Sequence, residues 1–336
     1  MTGGSRCRVV VTRRLPGPGV ERLRADAGAD VWLWDQDRPV PADVLARELR
    51  AGADGLLCML TDRVDQDLLD AGGPRLRVIS QMAAGLDNVD LAACAAAGVP
   101  VGHTPDILTE TTADTAFALL AAAVRRVPEG AAHVRAGSWG PWGPEVLLGG
   151  DLHGTTLGLL GLGRIGAAVA RRASGFSMQV LYSGPHRKPE AEAATGATQV
   201  PWEELLALSD HVVLTAPLSP ATRGVVDGAA LECMRSTATL VNVARGELVD
   251  TAALVAALRD GAIARAALDV TAPEPLPADH PLLELANCLV IPHLGSASVR
   301  TRVAMADLAV ANLTAGLAGE PLVRSAPTLD GKLSDV

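Results

Sequence analysis

Short apolar runs alternate with stretches of helical periodicity along the N-terminal part of the chain. This pattern predicts four buried strands, at residues 8–11, 31–34, 55–59 and 77–80. Because helical stretches separate consecutive strands, we expect a parallel sheet with helices on both of its faces. The first lobe is therefore predicted to be a doubly wound α/β domain.

A second series of strands and helices follows a long helical pattern over residues 108–135, which we expect to bridge two lobes. This series comprises strand 157–160, helix 165–174, strand 179–182 and strands near Val212, Leu240, Ala267 and Val290. A last helix over residues 299–317 comes after the second series, so it is expected to pack on the first lobe. The prediction is two doubly wound parallel-sheet domains: a discontinuous one over residues 1–107 and 296–336, and an inserted one over residues 108–295.

Length, composition and charge limit the classes of protein to which this chain can belong. At 336 residues the chain exceeds the size at which one core usually keeps growing, and 49% hydrophobic residues suffice for compact cores. A net charge of -9 with scattered Lys and Arg predicts no nucleic-acid partner. No apolar run approaches a bilayer span of roughly 18 residues, and the N-terminal residues lack a signal-peptide core, so we expect a cytoplasmic protein without a membrane segment. Cysteine and histidine spacings predict no metal site.

A glycine-rich turn, Gly161-Leu162-Gly163-Arg164-Ile165-Gly166, follows the predicted strand 157–160 and opens a helix. Its three glycines permit a tight turn, a close approach of the backbone to a pyrophosphate, and packing of the helix on the strand. The helix N-terminus adds amide donors and a positive dipole. In this strand-turn-helix context the motif predicts a dinucleotide site, whereas alone it could be an ordinary glycine turn.

The residues at the end of the next predicted strand, 179–182, indicate whether the cofactor is NAD(H) or NADP(H). NAD-specific sites usually carry an Asp or Glu there for the adenosine ribose, but this chain has Ser183. A hydroxyl followed by Arg187 and Lys188 suits a 2′-phosphate, so NADP(H) is the predicted cofactor, with NAD(H) as the alternative. A solvated basic loop would give the same pattern.

Three further segments carry a family resemblance: VNVARGELVD at 241–250, LDVTAPEPLP at 268–277 and IPHLGSA at 291–297. With the glycine turn, they resemble the D-isomer-specific 2-hydroxyacid dehydrogenases over about residues 9–321, and within that family the glyoxylate/hydroxypyruvate reductases. The resemblance implies a Rossmann cofactor domain inserted in a flavodoxin-like substrate domain. It also implies reduction of small 2-oxo acids to 2-hydroxy acids by hydride transfer from NAD(P)H.

The resemblance assigns the catalytic roles to Arg245, Glu274 and His293. The planar guanidinium of Arg245 can hold a carboxylate bidentately and polarise the adjacent carbonyl. His293 can donate a proton to the carbonyl oxygen, and Glu274 can favour and orient its imidazolium. Taken alone, Arg245 is equally well explained as a surface arginine, whereas a lone histidine is usually structural and a lone glutamate is usually solvated.

The resemblance adds further binding residues to those of the glycine turn and the basic loop, and Leu60, Ala84, Gly85, Thr112 and Asp269 could instead be ordinary cap or turn residues. The expected cofactor contacts are Thr112, Gly161, Gly163, Arg164, Ile165, Gly166, Ser183, Arg187, Lys188, Pro217, Thr222, Val243, Asp269 and Gly295. The expected substrate contacts are Leu60, Ala84, Gly85, Trp142, Arg245 and His293.

The same motifs also fit other functions. A family member acting on a longer acid or on phosphite is an alternative, although phosphite dehydrogenases carry a Lys where this chain has Ala84. A redox-sensing protein similar to transcriptional corepressors is another alternative, because such proteins share the fold. Those proteins carry long interaction tails, whereas the motifs here fill most of the chain, which disfavours this alternative.

Family members pair through the long helix and the loop after it, so we expect a homodimer built on residues 109–150, with Trp142 reaching the partner's substrate pocket.

Overall fold

The computed structural model describes residues 6–25 and 28–327. The described chain forms two compact units, a smaller one over residues 6–108 and 297–327 and a larger one over residues 109–296. The ends of the predicted discontinuous domain, 1–5 and 328–336, lie outside the described residues.

Five parallel strands form the sheet of the smaller unit. They are β1 (Arg8–Val11), β2 (Asp30–Leu33), β3 (Gly55–Cys58), β4 (Val78–Gln81) and β5 (Val101–Gly102). Their order, β2-β1-β3-β4-β5, is the flavodoxin-like order that was predicted. The helices of this unit are α1 (Gly19–Ala25), α2 (Ala42–Arg50), α3 (Gln66–Gly72), α4 (Leu91–Ala96) and the last helix of the chain, α12 (Val299–Ala318).

Alternation along β1 builds a hydrophobic core on each face of this sheet. Val10 packs in a cluster with Leu49 of α2 and Leu69 of α3. Val9 and its neighbours on the other face pack in a cluster with Met305 of α12. The chain needs apolar residues at consecutive positions here because helices cover both faces, as expected for a parallel sheet.

The last helix belongs to the smaller unit although it follows the larger unit in sequence. It packs against β3, β4 and α1. Ser80 donates a hydrogen bond to the carbonyl of Ala309 at 2.7 Å, and Asn312 donates to the carbonyl of His103 at 3.0 Å. These bonds satisfy polar groups that burial would otherwise leave unpaired.

Seven parallel strands form the sheet of the larger unit, in the order β12-β11-β10-β9-β6-β7-β8. They are β6 (Thr156–Leu160), β7 (Gln179–Ser183), β8 (Thr198–Gln199), β9 (His211–Leu214), β10 (Thr239–Asn242), β11 (Arg265–Leu268) and β12 (Cys288–Val290). This is the Rossmann order with one strand added beyond the sixth. The helices are α5 (Thr109–Val124), α6 (Val127–Arg135), α7 (Arg164–Ser174), α8 (Pro189–Thr195), α9 (Trp202–Leu208), α10 (Gly228–Cys233) and α11 (Thr251–Asp260).

The single long helix predicted over residues 108–135 is wrong, because the structure has two helices there. Arg126 adopts a left-handed conformation with φ 54°, and Pro128 lies in the first turn of α6. Proline lacks the N–H that would continue α5, and its ring would clash with the carbonyl of the preceding turn. The carbonyl of Val124, at the end of α5, instead accepts a hydrogen bond from Gly150.

Among the described residues, no helix has the length and hydropathy needed to span a bilayer.

Candidate active site

Three loops that leave one edge of the larger sheet carry Arg245, Glu274 and His293. The loops follow β10, β11 and β12, which pair in parallel with one another. Because the carboxyl ends of parallel strands lie at the same edge, each loop begins beside the next. The topology therefore brings together three residues that are well separated in the sequence.

The Glu274 carboxylate and the His293 ring form a close pair. His293 Nδ1 lies 2.6 Å from Glu274 Oε1. Burial would raise the pKa of Glu274, but the hydrogen bond and charge of His293, helped by the charge of Arg245, hold that pKa below its usual value. A charged carboxylate at this position orients the ring and favours a proton on Nδ1, so Nε2 is the ring nitrogen chemically able to exchange a proton with another group.

Asp269, at the end of β11, fixes the loop that carries His293. Its carboxylate accepts the backbone N–H groups of Leu294 at 2.5 Å and Gly295 at 2.9 Å. The N–H of His293 donates to the Asp269 carbonyl at 2.8 Å. Burial raises the pKa of Asp269 although these N–H groups and His293 favour its charged form. With both carboxylate oxygens engaged by the backbone, the expected cofactor contact of Asp269 stays a prediction.

Asn242, the last residue of β10, holds the loop that carries Arg245. Its side-chain amide donates to the Arg245 carbonyl at 2.7 Å, and its oxygen accepts the N–H of Ala244 at 3.0 Å. Asn242 is buried, so both bonds lie in a low-dielectric environment that strengthens them. Sequence reasoning missed this residue, although an Asn at the end of a buried strand was a readable signal.

Gly246 allows the Arg245 loop to pack against the backbone that leads to Glu274. A side chain at Gly246 would place its Cβ 2.0 Å from the carbonyl carbon of Thr271, a distance too short for two non-bonded atoms. A Cβ at Gly295 would similarly lie 2.9 Å from the Asp269 carboxylate. Sequence reasoning singled out Gly295 but not Gly246, because the need for glycine arises from a neighbour distant in the chain.

The glycine turn has the geometry that a dinucleotide requires. Gly161 has φ 92°, and a Cβ there would lie 3.2 Å from the backbone of Ala216. A Cβ at Gly166 would lie 2.3 Å from the Gly161 carbonyl oxygen. Gly163 is the N-cap residue of α7 and supplies no side-chain cap, and the first backbone N–H groups of a helix are the donors that bind an anion. The described residues therefore fit the pyrophosphate of a nicotinamide dinucleotide.

The other expected cofactor residues of the larger unit are distributed around this sheet edge. Arg164 begins α7, and the next residue, Ile165, packs partly on the core. Pro217 and Thr222 close one turn after β9, where the Thr222 hydroxyl donates to the Pro217 carbonyl at 2.7 Å. Thr112 of α5 is buried. The side chain of Val243, which follows β10, is buried as well.

In the basic loop after β7, Arg187 pairs with Glu192, a residue that sequence reasoning missed. Arg187 donates from Nε to Glu192 Oε1 at 3.2 Å and pairs through a second guanidinium nitrogen with Oε2. The buried Tyr182 donates its hydroxyl proton to Glu192 at 2.5 Å and accepts the N–H of Lys188 at 3.0 Å. The hydrogen bonds from Arg187 and Tyr182 lower the pKa of Glu192 to about 2. Ser183 lies half-buried at the end of β7.

The expected substrate residues Leu60, Ala84 and Gly85 lie in the smaller unit, in the loops after β3 and β4. Leu60 is exposed, whereas Ala84 and Gly85 are half-buried. Trp142 lies in the loop after α6 of the larger unit, and 89% of its surface is exposed.

Comparison with known proteins agrees with this architecture. Residues 117–295 match the family profile described as D-isomer specific 2-hydroxyacid dehydrogenase, NAD binding domain. The chain is similar to the glyoxylate reductase/hydroxypyruvate reductase of Homo sapiens, with 47% identity over 316 residues that cover 94% of this chain and 96% of that protein.

Solved structures extend the similarity to both units. A crystal structure of a protein from Thermus thermophilus matches with a TM-score of 0.90 and 46% identity, covering 95% of this chain and 99% of that one. The NADPH-dependent glyoxylate/hydroxypyruvate reductase of Sinorhizobium meliloti, in complex with NADP and malonate, matches with a TM-score of 0.80 and 33% identity over 96% and 97% of the two chains. This chain therefore belongs to the D-isomer-specific 2-hydroxyacid dehydrogenase family.

Proposed function

We propose that the protein reduces glyoxylate, hydroxypyruvate or a similarly small 2-oxo acid to the 2-hydroxy acid with NAD(P)H. The observation that carries this proposal is the 2.6 Å pair of Glu274 and His293 beside the Arg245 loop. Reduction of a 2-oxo acid needs a carboxylate anchor and a proton donor, and these residue types meet both needs. The similarity to glyoxylate and hydroxypyruvate reductases supports the substrate class.

Arg245 is the proposed carboxylate anchor. Its guanidinium presents parallel N–H donors that match the two oxygens of a carboxylate, which fixes the orientation of the substrate as well as its position. Bonding to the carboxylate group also draws electron density from the adjacent carbonyl, so C2 becomes a better hydride acceptor.

His293 is the proposed acid in reduction and the base in the reverse direction. When bound, the nicotinamide of NAD(P)H supplies the hydride that adds to C2. The His293 imidazolium gives its Nε2 proton to the carbonyl oxygen, which becomes the hydroxyl group, and the neutral ring then regains a proton from solvent. Glu274 stabilises the imidazolium and keeps Nε2 in line with the oxygen.

Three alternatives from the sequence stay open: a longer 2-oxo acid as the substrate, phosphite as the substrate, and a sensor without turnover. Ala84 disfavours phosphite, which a direct measurement with phosphite and NAD(P)+ would test. A corepressor-like sensor would bind dinucleotide but turn over no 2-oxo acid, so oxidation of NADPH and NADH with a panel of 2-oxo acids distinguishes an enzyme from a sensor.

Replacing His293 by Ala should lower turnover of glyoxylate by about 10² to 10⁴, because a positioned proton donor typically contributes that factor. Nucleotide binding should stay unchanged, since the glycine turn is untouched. Steady-state kinetics with NADPH and fluorescence titration of the dinucleotide would measure the two effects. The matched control is His153→Ala, an exposed histidine of the same unit. Turnover of His293→Ala near that of the parent would exclude the proposed role.

Replacing Glu274 by Gln should shift the alkaline limb of the pH profile for reduction toward lower pH. The pKa of Glu274 lies below its usual value in the presence of His293, so the carboxylate is charged and favours the imidazolium; an uncharged amide removes that preference. The profile of kcat/KM from pH 5 to 9 is the measurement. Glu284→Gln, an exposed residue after β11, is the control. An unshifted profile would contradict the pairing.

We further propose that NADP(H) is the preferred cofactor, by a modest margin. Ser183 places no carboxylate where a 2′-phosphate would lie, and the Sinorhizobium meliloti relative is NADPH-dependent. Glu192 opposes the preference because it pairs with Arg187 and carries a charge that would repel a phosphate. The parent should favour NADPH by on the order of tenfold in kcat/KM.

Replacing Glu192 by Gln should raise the ratio of kcat/KM for NADPH to that for NADH by about two- to fivefold, because the exposed Arg187 is released. The amide can still accept the Tyr182 hydroxyl, which limits structural change. Ser183→Asp should lower the ratio, and Glu190→Gln, exposed on the same helix, should leave it unchanged. A parent that prefers NADH, with a ratio insensitive to Glu192 and Ser183, would show that this loop is only a solvated surface.

Exposed apolar side chains in and after α6 support the proposed homodimer. The exposed set, all within residues 127–148, is Val127, Val134, Trp139, Trp142, Val146 and Leu148. A stretch of exposed apolar residues of this kind is typical of a protein-protein interface. Burial against a second copy would remove this surface from water.

Sedimentation velocity should show a dimer for the parent, and Val134→Asp with Leu148→Asp should produce a monomer, because burying two carboxylates in an apolar interface is unfavourable. Val299→Glu, on an exposed position of the smaller unit, is the control and should stay dimeric. A parent that is monomeric at every concentration would refute the proposal.

A further inference from the structure

The side-chain amides of Gln81 and Asn88 form a reciprocal pair in the smaller unit. Gln81 Nε2 donates to Asn88 Oδ1 at 2.8 Å, and Asn88 Nδ2 donates to Gln81 Oε1 at 2.8 Å. Gln81 is the last residue of β4 and is fully buried. A buried amide pair of this kind is stable only where the remaining donors also find acceptors.

Those remaining donors bind the backbones of two different loops. Gln81 Nε2 also donates to the Gly85 carbonyl at 2.7 Å, in the loop after β4. Asn88 Nδ2 also donates to the Asp62 carbonyl at 2.6 Å and lies 3.2 Å from the Met59 carbonyl, in the loop after β3. We call the two amides together the amide staple, because they join the loops at 59–62 and 83–88.

Asp62 reinforces the first of these loops. Its carboxylate accepts the Met59 N–H at 2.8 Å and the Thr12 hydroxyl, and its own N–H donates to the Met59 carbonyl at 3.0 Å. Asp62 is buried, whereas Leu60 and Thr61 between these bonded groups are exposed. The turn is thus held from inside while its tip faces outward.

The second loop is held by its carbonyl groups. The Ala84 carbonyl oxygen lies 2.9 Å from His103 Nδ1, and the Gly85 carbonyl accepts from the amide staple. Within the described part of this unit, the N–H groups of Ala84 and Gly85 donate to no acceptor. Carbonyls fixed inward and N–H groups without an internal acceptor are the arrangement that binds an anion through the backbone.

We propose that Gln81 and Asn88 are positioning residues for substrate binding, because the amide staple sets the spacing of the loops that carry Leu60, Ala84 and Gly85. This inference rests on the proposed function and on the predicted contacts of Leu60, Ala84 and Gly85 with the 2-oxo acid. Neither amide touches the substrate. Each acts through the backbone that it holds, and a displacement of about 1 Å at a positioned group can change activity by up to 10².

The test compares Gln81→Met, Asn88→Leu and the double variant with the parent, in the full-length protein. Each single variant leaves a buried amide without its partner, so both should lose stability, whereas the double variant removes both amides and should recover part of that loss. The KM for glyoxylate should rise about tenfold in all three and should not recover in the double variant. The KM for NADPH should stay within about twofold of the parent, since the glycine turn lies in the other unit. Gln66→Met, the same substitution at an exposed position of this unit, is the control.

Binding of oxalate, a small dicarboxylate that cannot be reduced, gives a readout independent of turnover. Calorimetry should show about tenfold weaker oxalate binding in all three variants than in the parent or in Gln66→Met. Unchanged KM and oxalate affinity in folded variants would overturn the inference, and so would changes that track melting temperature and recover in the double variant. A parent that binds oxalate but reduces no 2-oxo acid would instead contradict the proposed function alone.

Discussion

The hydrogen bonds of the Asp269 carboxylate to the backbone of the loop after β12 are the constraint on which the candidate site depends. They hold His293 in a left-handed backbone conformation, with φ 52°, that a residue with a side chain adopts only when its surroundings enforce it. That conformation places Nδ1 against Glu274. Gly246 completes the arrangement, since any side chain there would separate the Arg245 loop from the Thr271 backbone. Orientation is thus fixed before a substrate binds, which is how such sites favour a transition state.

The sequence predicted the strands well because their apolar runs are continuous, as burial on both faces demands. β1 has the predicted bounds, and the strand orders are those of the two folds that the family resemblance implied. The two-residue strands β5 and β8 were missed because no periodicity can be read from two residues. The break between α5 and α6 was missed because the Ala-rich periodicity outweighed a single proline, Pro128, whose position fixes the break.

Residues of the candidate site could be predicted only where they lie in motifs of consecutive residues. The glycine turn and the motifs around Arg245, Glu274 and His293 were readable, although their roles there stay proposals. Asn242 and Gly246 matter through neighbours distant in sequence. The pairing of Arg187 was not predictable, since a basic loop gives no sign of which carboxylate will contact it, and here the side chain of Glu192, in the helix that follows the loop, does so.

In both units, the loops at the carboxyl ends of the strands are fixed in position by buried polar side chains. Parallel pairing brings loops to one edge but fixes their positions only coarsely, since each loop retains its own backbone freedom. A buried polar side chain at or just after the end of a strand restricts that freedom, because loop conformations that leave it unpaired carry the cost of an unsatisfied buried polar group. Asn242 and Asp269 have this position in the larger unit, and Gln81 has it in the smaller one. In loops built this way, buried residues that do not reach the exposed tip set the position of that tip.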